Sequence, residues 1–185
     1  MQATFGFVDL AGFTALTEAH GAHRAAELVE RFTILVREAL GDSGRLIDKV
    51  GDAVFVMTPE PGHAVRFIAG LFGAAAREVD FLALRAGLHH GEALERQGSF
   101  FGMAVNVAAR VTAEARGGQV VATTRVAEAA RDEGVDVLSL GTFALRNVRE
   151  PLELFALNVA PTSGVSALDP VCRMRVQPER AAGHL

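Results

Sequence analysis

Phe7-Val8-Asp9-Leu10-Ala11-Gly12-Phe13-Thr14 is an apolar run that stops at one carboxylate and turns through a glycine into a helical pattern. It reads as a strand that delivers Asp9 to the start of a helix. Backbone N–H groups of a glycine-containing turn at a helix start can bind phosphate oxygens, and a neighbouring carboxylate can hold a cation that also touches the phosphates. The same unit also suits an Asp that only caps the helix. The surrounding chain has to decide.

On the N-terminal side, residues 3 to 10 alternate loosely and are rich in Phe and Val, as in a largely buried strand. On the C-terminal side the period changes. Ala25, Leu28, Val29, Phe32, Leu35, Val36 and Ala39 recur at three and four, giving one apolar face to a helix that runs from Thr14 to about Leu40, where Gly41-Asp42-Ser43-Gly44 stops it. Leu46 to Val50 and Ala53 to Met57 are strand-like runs around Gly51-Asp52, so Asp52 falls at or beside the tip of a hairpin, either as a turn residue or as a second carboxylate for the site. Pro59, Pro61 and Gly62 break the chain before a second amphipathic helix over His63 to Arg77.

Leu82 to Ala93 alternates as a strand, on which the neighbours His89 and His90 face opposite sides and so do not form a metal pair. A loop over Gln97 to Gly102 leads into a helix from Met103 to Ala115. Asn106 and Arg110, four residues apart, share one face of that helix beside the small residues Gly102, Ala109 and Ala113, while Val107, Ala108 and Val111 supply its buried side. Gln119 to Thr123 is a short strand, Val126 to Glu133 a short helix, and Val137 to Leu145 with Leu152 to Val159 a closing strand pair. The order describes one α+β sheet with helices packed on it. Half of the 185 residues are apolar, enough for a single well-buried domain and a tail. The net charge of -4 gives no support for a nucleic-acid or anionic-membrane surface. Without a long uncharged apolar run or a signal peptide, the expected location is cytoplasmic, with no membrane partner. One cysteine, Cys172, excludes an internal disulfide.

Taken together, Phe7–Thr14, Val50-Gly51-Asp52-Ala53, Arg85-Ala86-Gly87-Leu88-His89-His90-Gly91-Glu92, Phe101–Arg110 and Leu145–Leu152 resemble the class III nucleotide cyclase catalytic domain, the adenylyl and guanylyl cyclase family. The likeness covers about residues 3 to 158. It implies a ferredoxin-like βαββαβ core with C-terminal strand and helix additions, and a domain over residues 1–160. It also implies that Asp9 and Asp52, with the carbonyl of Leu10, hold two divalent cations, Mg²⁺ or Mn²⁺. Gly12, Phe13 and Thr14 then match the turn that cradles the β- and γ-phosphates of ATP or GTP, Asn106 the residue that orients the ribose, Arg110 the one that meets charge on the transferring phosphoryl group, and Arg146 a basic triphosphate contact. In this family the carboxylates and the Asn/Arg pair of one site come from opposite subunits of a head-to-tail dimer, so the resemblance implies a homodimer with two equivalent sites. The implied reaction converts ATP, with GTP the second choice, to the 3′,5′-cyclic nucleotide and pyrophosphate.

Two positions depart from the family pattern. Asp48 stands where the purine-selecting Lys is usual, with Lys49 one residue later, and Ser99 stands at the partner position. Neighbours on a strand face opposite sides, so Lys49 replaces the missing Lys only through a bulge or register shift. An acidic residue here favours the alternative, a cyclase-homology domain that binds nucleotide or a partner without turnover. Residues 161–168 read as a linker, and Asp169-Pro170-Val171-Cys172-Arg173-Met174-Arg175-Val176 resembles the start of a YHS domain, with the span 169–185 too short for a complete metal site.

Overall fold

The structure, a computed structural model, describes residues 1–159 and the two-residue strands Ala167–Leu168 and Arg175–Val176, which pair antiparallel. Cys172 and, apart from those strands, the expected linker and YHS-like tail lie outside the described residues.

Strand β1 (Gln2–Leu10) lies between β3 (Ala53–Thr58) and β4 (Leu84–Glu92), antiparallel to both, and is buried along most of its length because helices pack on both faces of the sheet. Helix α1 (Phe13–Leu40) leads to β2 (Arg45–Val50), which pairs with β3, and α2 (Pro61–Arg77) leads to β4. This is the expected βαββαβ order. The added part contains β5 (Leu94–Arg96), β6 (Ser99–Phe101), α3 (Met103–Glu114), β7 (Val120–Thr123), α4 (Thr124–Asp132), β8 (Asp136–Phe143) and β9 (Leu152–Asn158). The seven-stranded sheet runs β2-β3-β1-β4-β7-β9-β8, with β4 and β7 the parallel pair.

Alternation divides the core between the two faces of the sheet. Val8, Val54 and Leu88 meet Leu28 and Phe32 of α1, Phe67 and Ile68 of α2 and Val126 of α4. A fully buried side chain such as Phe32 contributes about 1.5–3 kcal/mol. On the opposite face α3 packs with Ala104 and Ala108 against Phe5 and Phe7, and Val107 and Val111 against Val121 and Leu154. A Cβ added to Gly87 would lie 2.2 Å from the Thr112 amide nitrogen, so this glycine lets α3 lie directly on β4.

Several boundaries differ from the sequence reading. Pro61 begins α2 rather than breaking before it, since proline suits the first helical position. Residues expected as the loop 97–102 form part of the β5–β6 hairpin, whose pairing buries Phe100 against Phe5. Helix α1 is interrupted at Gly21 (φ 79°, ψ 170°), which the apolar period running past it does not reveal.

Candidate active site

At the end of β1, Asp9 lies opposite Ala53 on one side and Arg85 on the other. The Arg85 Nε–H donates to Asp9 Oδ1 over 2.6 Å, and the Asp9 side chain is only 14% exposed. Helix α1 has no side-chain cap: Gly12 takes the left-handed conformation (φ 88°, ψ 14°), and the first bond into the helix runs from the Leu16 N–H to the Gly12 carbonyl over 3.0 Å. Asp9 therefore does not cap the helix. The N–H groups of Phe13, Thr14 and Ala15 precede that first bond and are left for an anion, with Gly12 and Thr14 exposed beside them. Leu10 is 2% exposed, so what it offers a cation is its carbonyl.

Asp52 occupies the β2–β3 turn, next to the residue that faces Asp9. Its carboxyl is pushed above the ordinary range, first by burial and then by the charge of Asp9, against the opposing pull of its own backbone N–H and of Arg85. Two carboxylates that sense each other beside one guanidinium make a site short of positive charge. Their hard oxygen donors are what Mg²⁺ or Mn²⁺ takes, and two carboxylates completed by substrate phosphates are usual for Mg²⁺. Among the described residues no group of three side chains forms a ready metal cage. The donor set therefore fits cations that arrive with a phosphate ligand.

Asn106 and Arg110 are exposed on α3, and among the described residues neither side chain makes a hydrogen bond or ion pair within its own chain. Arg146 is exposed in a turn closed by a bond from the Val148 N–H to the Leu145 carbonyl, and Leu145 is buried against Val107 and Val111, so this arginine is carried on the α3 side of the sheet. Asp48 lies opposite Phe55, whose ring stacks on Phe7 at 4.6 Å on the α3-facing surface, and Lys49 lies opposite Val54 on the other face. A bulge between Leu46 and Asp48 does exist, but its register leaves the carboxylate, not the amine, on the face shared with Asp9. Ser99 is exposed at the start of β6, in a hairpin tied to β2 by the Arg45–Glu95 ion pair. His89 and His90 bond separately to Thr123 and Thr4.

Arg85 is the residue that sequence reasoning missed. Its signal was a lone basic side chain in an apolar strand, but its meaning depends on the β1–β4 register. A groove of about 790 Å³, lined among others by Arg116, Leu138, Leu140 and Phe143, contains none of these groups.

Residues 1–159 match the family model described as the adenylate and guanylate cyclase catalytic domain. The chain belongs to this family. The cyclase chain is 35% identical over 175 residues to a pH-sensitive adenylate cyclase of Mycobacterium tuberculosis, covering 91% of this chain and 44% of that protein. It is 34% identical over 124 residues to an adenylate cyclase of Streptomyces coelicolor, covering 66% of this chain and 32% of that protein. The cyclase chain thus spans less than half the length of either relative. Its fold is that of an adenylate cyclase structure from Trypanosoma brucei (TM-score 0.78, 23% identity, 95% of each chain) and of the guanylate cyclase domain from Catenaria anguillulae solved with GTP (TM-score 0.71, 15% identity, 86% of this chain and 97% of that one).

Proposed function

We propose that this cyclase domain converts ATP or GTP to the 3′,5′-cyclic nucleotide and pyrophosphate, at sites shared across a homodimer. The observation that carries the reading is the meeting of Asp9 and Asp52 beside the free N–H groups at the start of α1. Asp9, Asp52 and the Leu10 carbonyl would hold two divalent cations, Mg²⁺ or Mn²⁺, which when bound supply ionisation of the ribose 3′-hydroxyl and charge neutralisation on the α-phosphate. The Gly12–Thr14 turn binds the β- and γ-phosphates through its backbone. Arg110 of the second subunit meets the charge that develops on the phosphoryl oxygens, and Asn106 fixes the ribose so that its 3′-oxygen is in line with the leaving pyrophosphate. Arg146 adds a positive charge toward the triphosphate.

Asp48 bears on the base, with Ser99 as the second base contact. A carboxylate only accepts hydrogen bonds: guanine offers it the N1–H and the N2 amine side by side, whereas adenine offers one amine next to an acceptor nitrogen. Relatives named adenylate cyclases support ATP, and the placement of Asp48 on the ligand face supports GTP, so the two substrates are tested together. Purified protein is incubated with Mn²⁺ and either nucleotide, with Asp52→Ala alongside. Cyclic product from the wild type and not from the variant is the expected result. No product at protein concentrations high enough for dimers would instead favour nucleotide binding without turnover.

A further inference from the structure

We infer that Arg85 is a built-in counter-ion of the cation site: it pairs with Asp9, and a divalent cation takes that carboxylate only by displacing it. The inference rests on the proposed role of Asp9 as a cation ligand. Its own basis is the contact between the two side chains. Asp9 and Arg85 are direct partners in the β1–β4 register, so the backbone itself sets them against each other. The bonding atom is Nε, the guanidinium nitrogen nearest the main chain, which keeps the whole cationic head close to the carboxylate. Asp9 is the more covered of the pair, at 14% exposed against 40% for Arg85, so a cation arriving from solvent meets the guanidinium first.

The surroundings explain why a positive charge is needed there. α3 passes over β4 with Ala104 near Gly91 and Thr112 on Gly87, so Arg85, next on that face, lies toward the carbonyl end of the helix. That end carries partial negative charge, and Asp9 and Asp52 add two carboxylates to it. Without Arg85 the cluster has no cation of its own among the contacts described. With it, one Asp9 oxygen is occupied and an incoming dication is repelled. Ala11 N–H bonds the Ala83 carbonyl over 2.8 Å, which ties the strand of Arg85 to the phosphate turn. An anionic triphosphate on that turn gives the guanidinium another partner, so cation and nucleotide bind together rather than one before the other.

The test is Mn²⁺ binding without nucleotide, read from the electron paramagnetic resonance of free Mn²⁺, for wild type, Arg85→Gln, Arg85→Met and Asp9→Asn. Arg85→Met keeps the aliphatic stem, so together the two neutral variants separate charge from packing, and thermal melts establish that each is folded. Both are expected to bind Mn²⁺ about tenfold more tightly than wild type. Affinity equal to or weaker than wild type in both overturns the inference. If wild type binds Mn²⁺ better than Asp9→Asn while the Arg85 variants match wild type, Asp9 is a ligand and only the counter-ion role falls. If wild type binds no better than Asp9→Asn, the assignment of Asp9 as a ligand fails and the inference falls with it.

Discussion

At the level of single residues, the hairpin carboxylate is held in a place that suits a cation better than it suits the folded chain. Burial and the charge of Asp9 raise the Asp52 pKa above that of the unfolded chain, so the folded state binds a proton more readily than the unfolded one. The associated stability is present below the unfolded pKa and is lost as pH rises through the folded one. Asp52→Asn is therefore expected to raise the melting temperature at pH 7 by about 1–2 °C, with the gain vanishing at acid pH where Asp52 is protonated in both states. The same variant is expected to lose at least about a hundredfold of cyclic product with Mn²⁺, because the amide cannot replace an anionic ligand. A variant less stable at pH 7 than wild type would show that burial and repulsion together do not dominate at Asp52. Four residues before Asp52, Asp48→Lys is expected to move the ATP-to-GTP activity ratio toward ATP by about tenfold, since an ammonium donates where the carboxylate accepts. An unchanged ratio would mean that position 48 does not touch the base.

At the level of elements, β4 is where α3 and the sheet fix each other. Gly87→Ala would drive a methyl into the backbone of Thr112, which cannot rotate away, and is expected to destabilise the fold by about 1–3 kcal/mol while moving Asn106 and Arg110 with their helix. Denaturant melts with activity assays check both effects. Two residues on, His89 is half-buried and bonded to Thr123, and its pKa is lowered to about 4, chiefly by burial with a smaller push from His90. The unfolded chain then binds the proton more readily between about pH 6.5 and 4, so stability is lost as pH falls through that window, by up to about 3 kcal/mol. His89→Gln is expected to lose less stability than wild type between pH 7 and pH 4.5 in denaturant titrations. Much of this architecture was legible in the sequence, because alternation and three-four spacing are local properties: β1, the Asp52 hairpin and the buried side of α3 all follow from them. What was not legible depends on long-range register or on a single dihedral. Arg85 matters through Asp9, far away in sequence, and the side taken by Asp48 depends on a bulge. Gly21 breaks α1 without disturbing its apolar period. The carboxylates and the α3 pair were found through family spacing, and their geometry came only with the fold.

For the whole molecule, one chain carries groups that do not meet within it. Asp9 is engaged by Arg85 at one end of the sheet, whereas Asn106 and Arg110 stand on the outer surface of α3 without partners among the described residues. On the hairpin that leads into α3 and at the first residue of that helix, Leu94, Phe101 and Met103 are 65%, 57% and 56% exposed, apolar surface that a second subunit would cover. If each site takes its carboxylates from one chain and its Arg110 from the other, Asp52→Asn and Arg110→Ala are each inactive alone but complement each other when mixed. Random reassortment makes half of the dimers mixed, and in each of these one site combines an intact Asp52 with an intact Arg110 while the other lacks both. The mixture is then expected to recover about a quarter of wild-type activity, and dilution below the dimer dissociation constant should abolish the recovery. A site built wholly within one chain gives no recovery at any ratio, because every site would keep one lesion. The mixing experiment therefore distinguishes a shared site from a self-contained one without any assumption about which nucleotide the domain prefers.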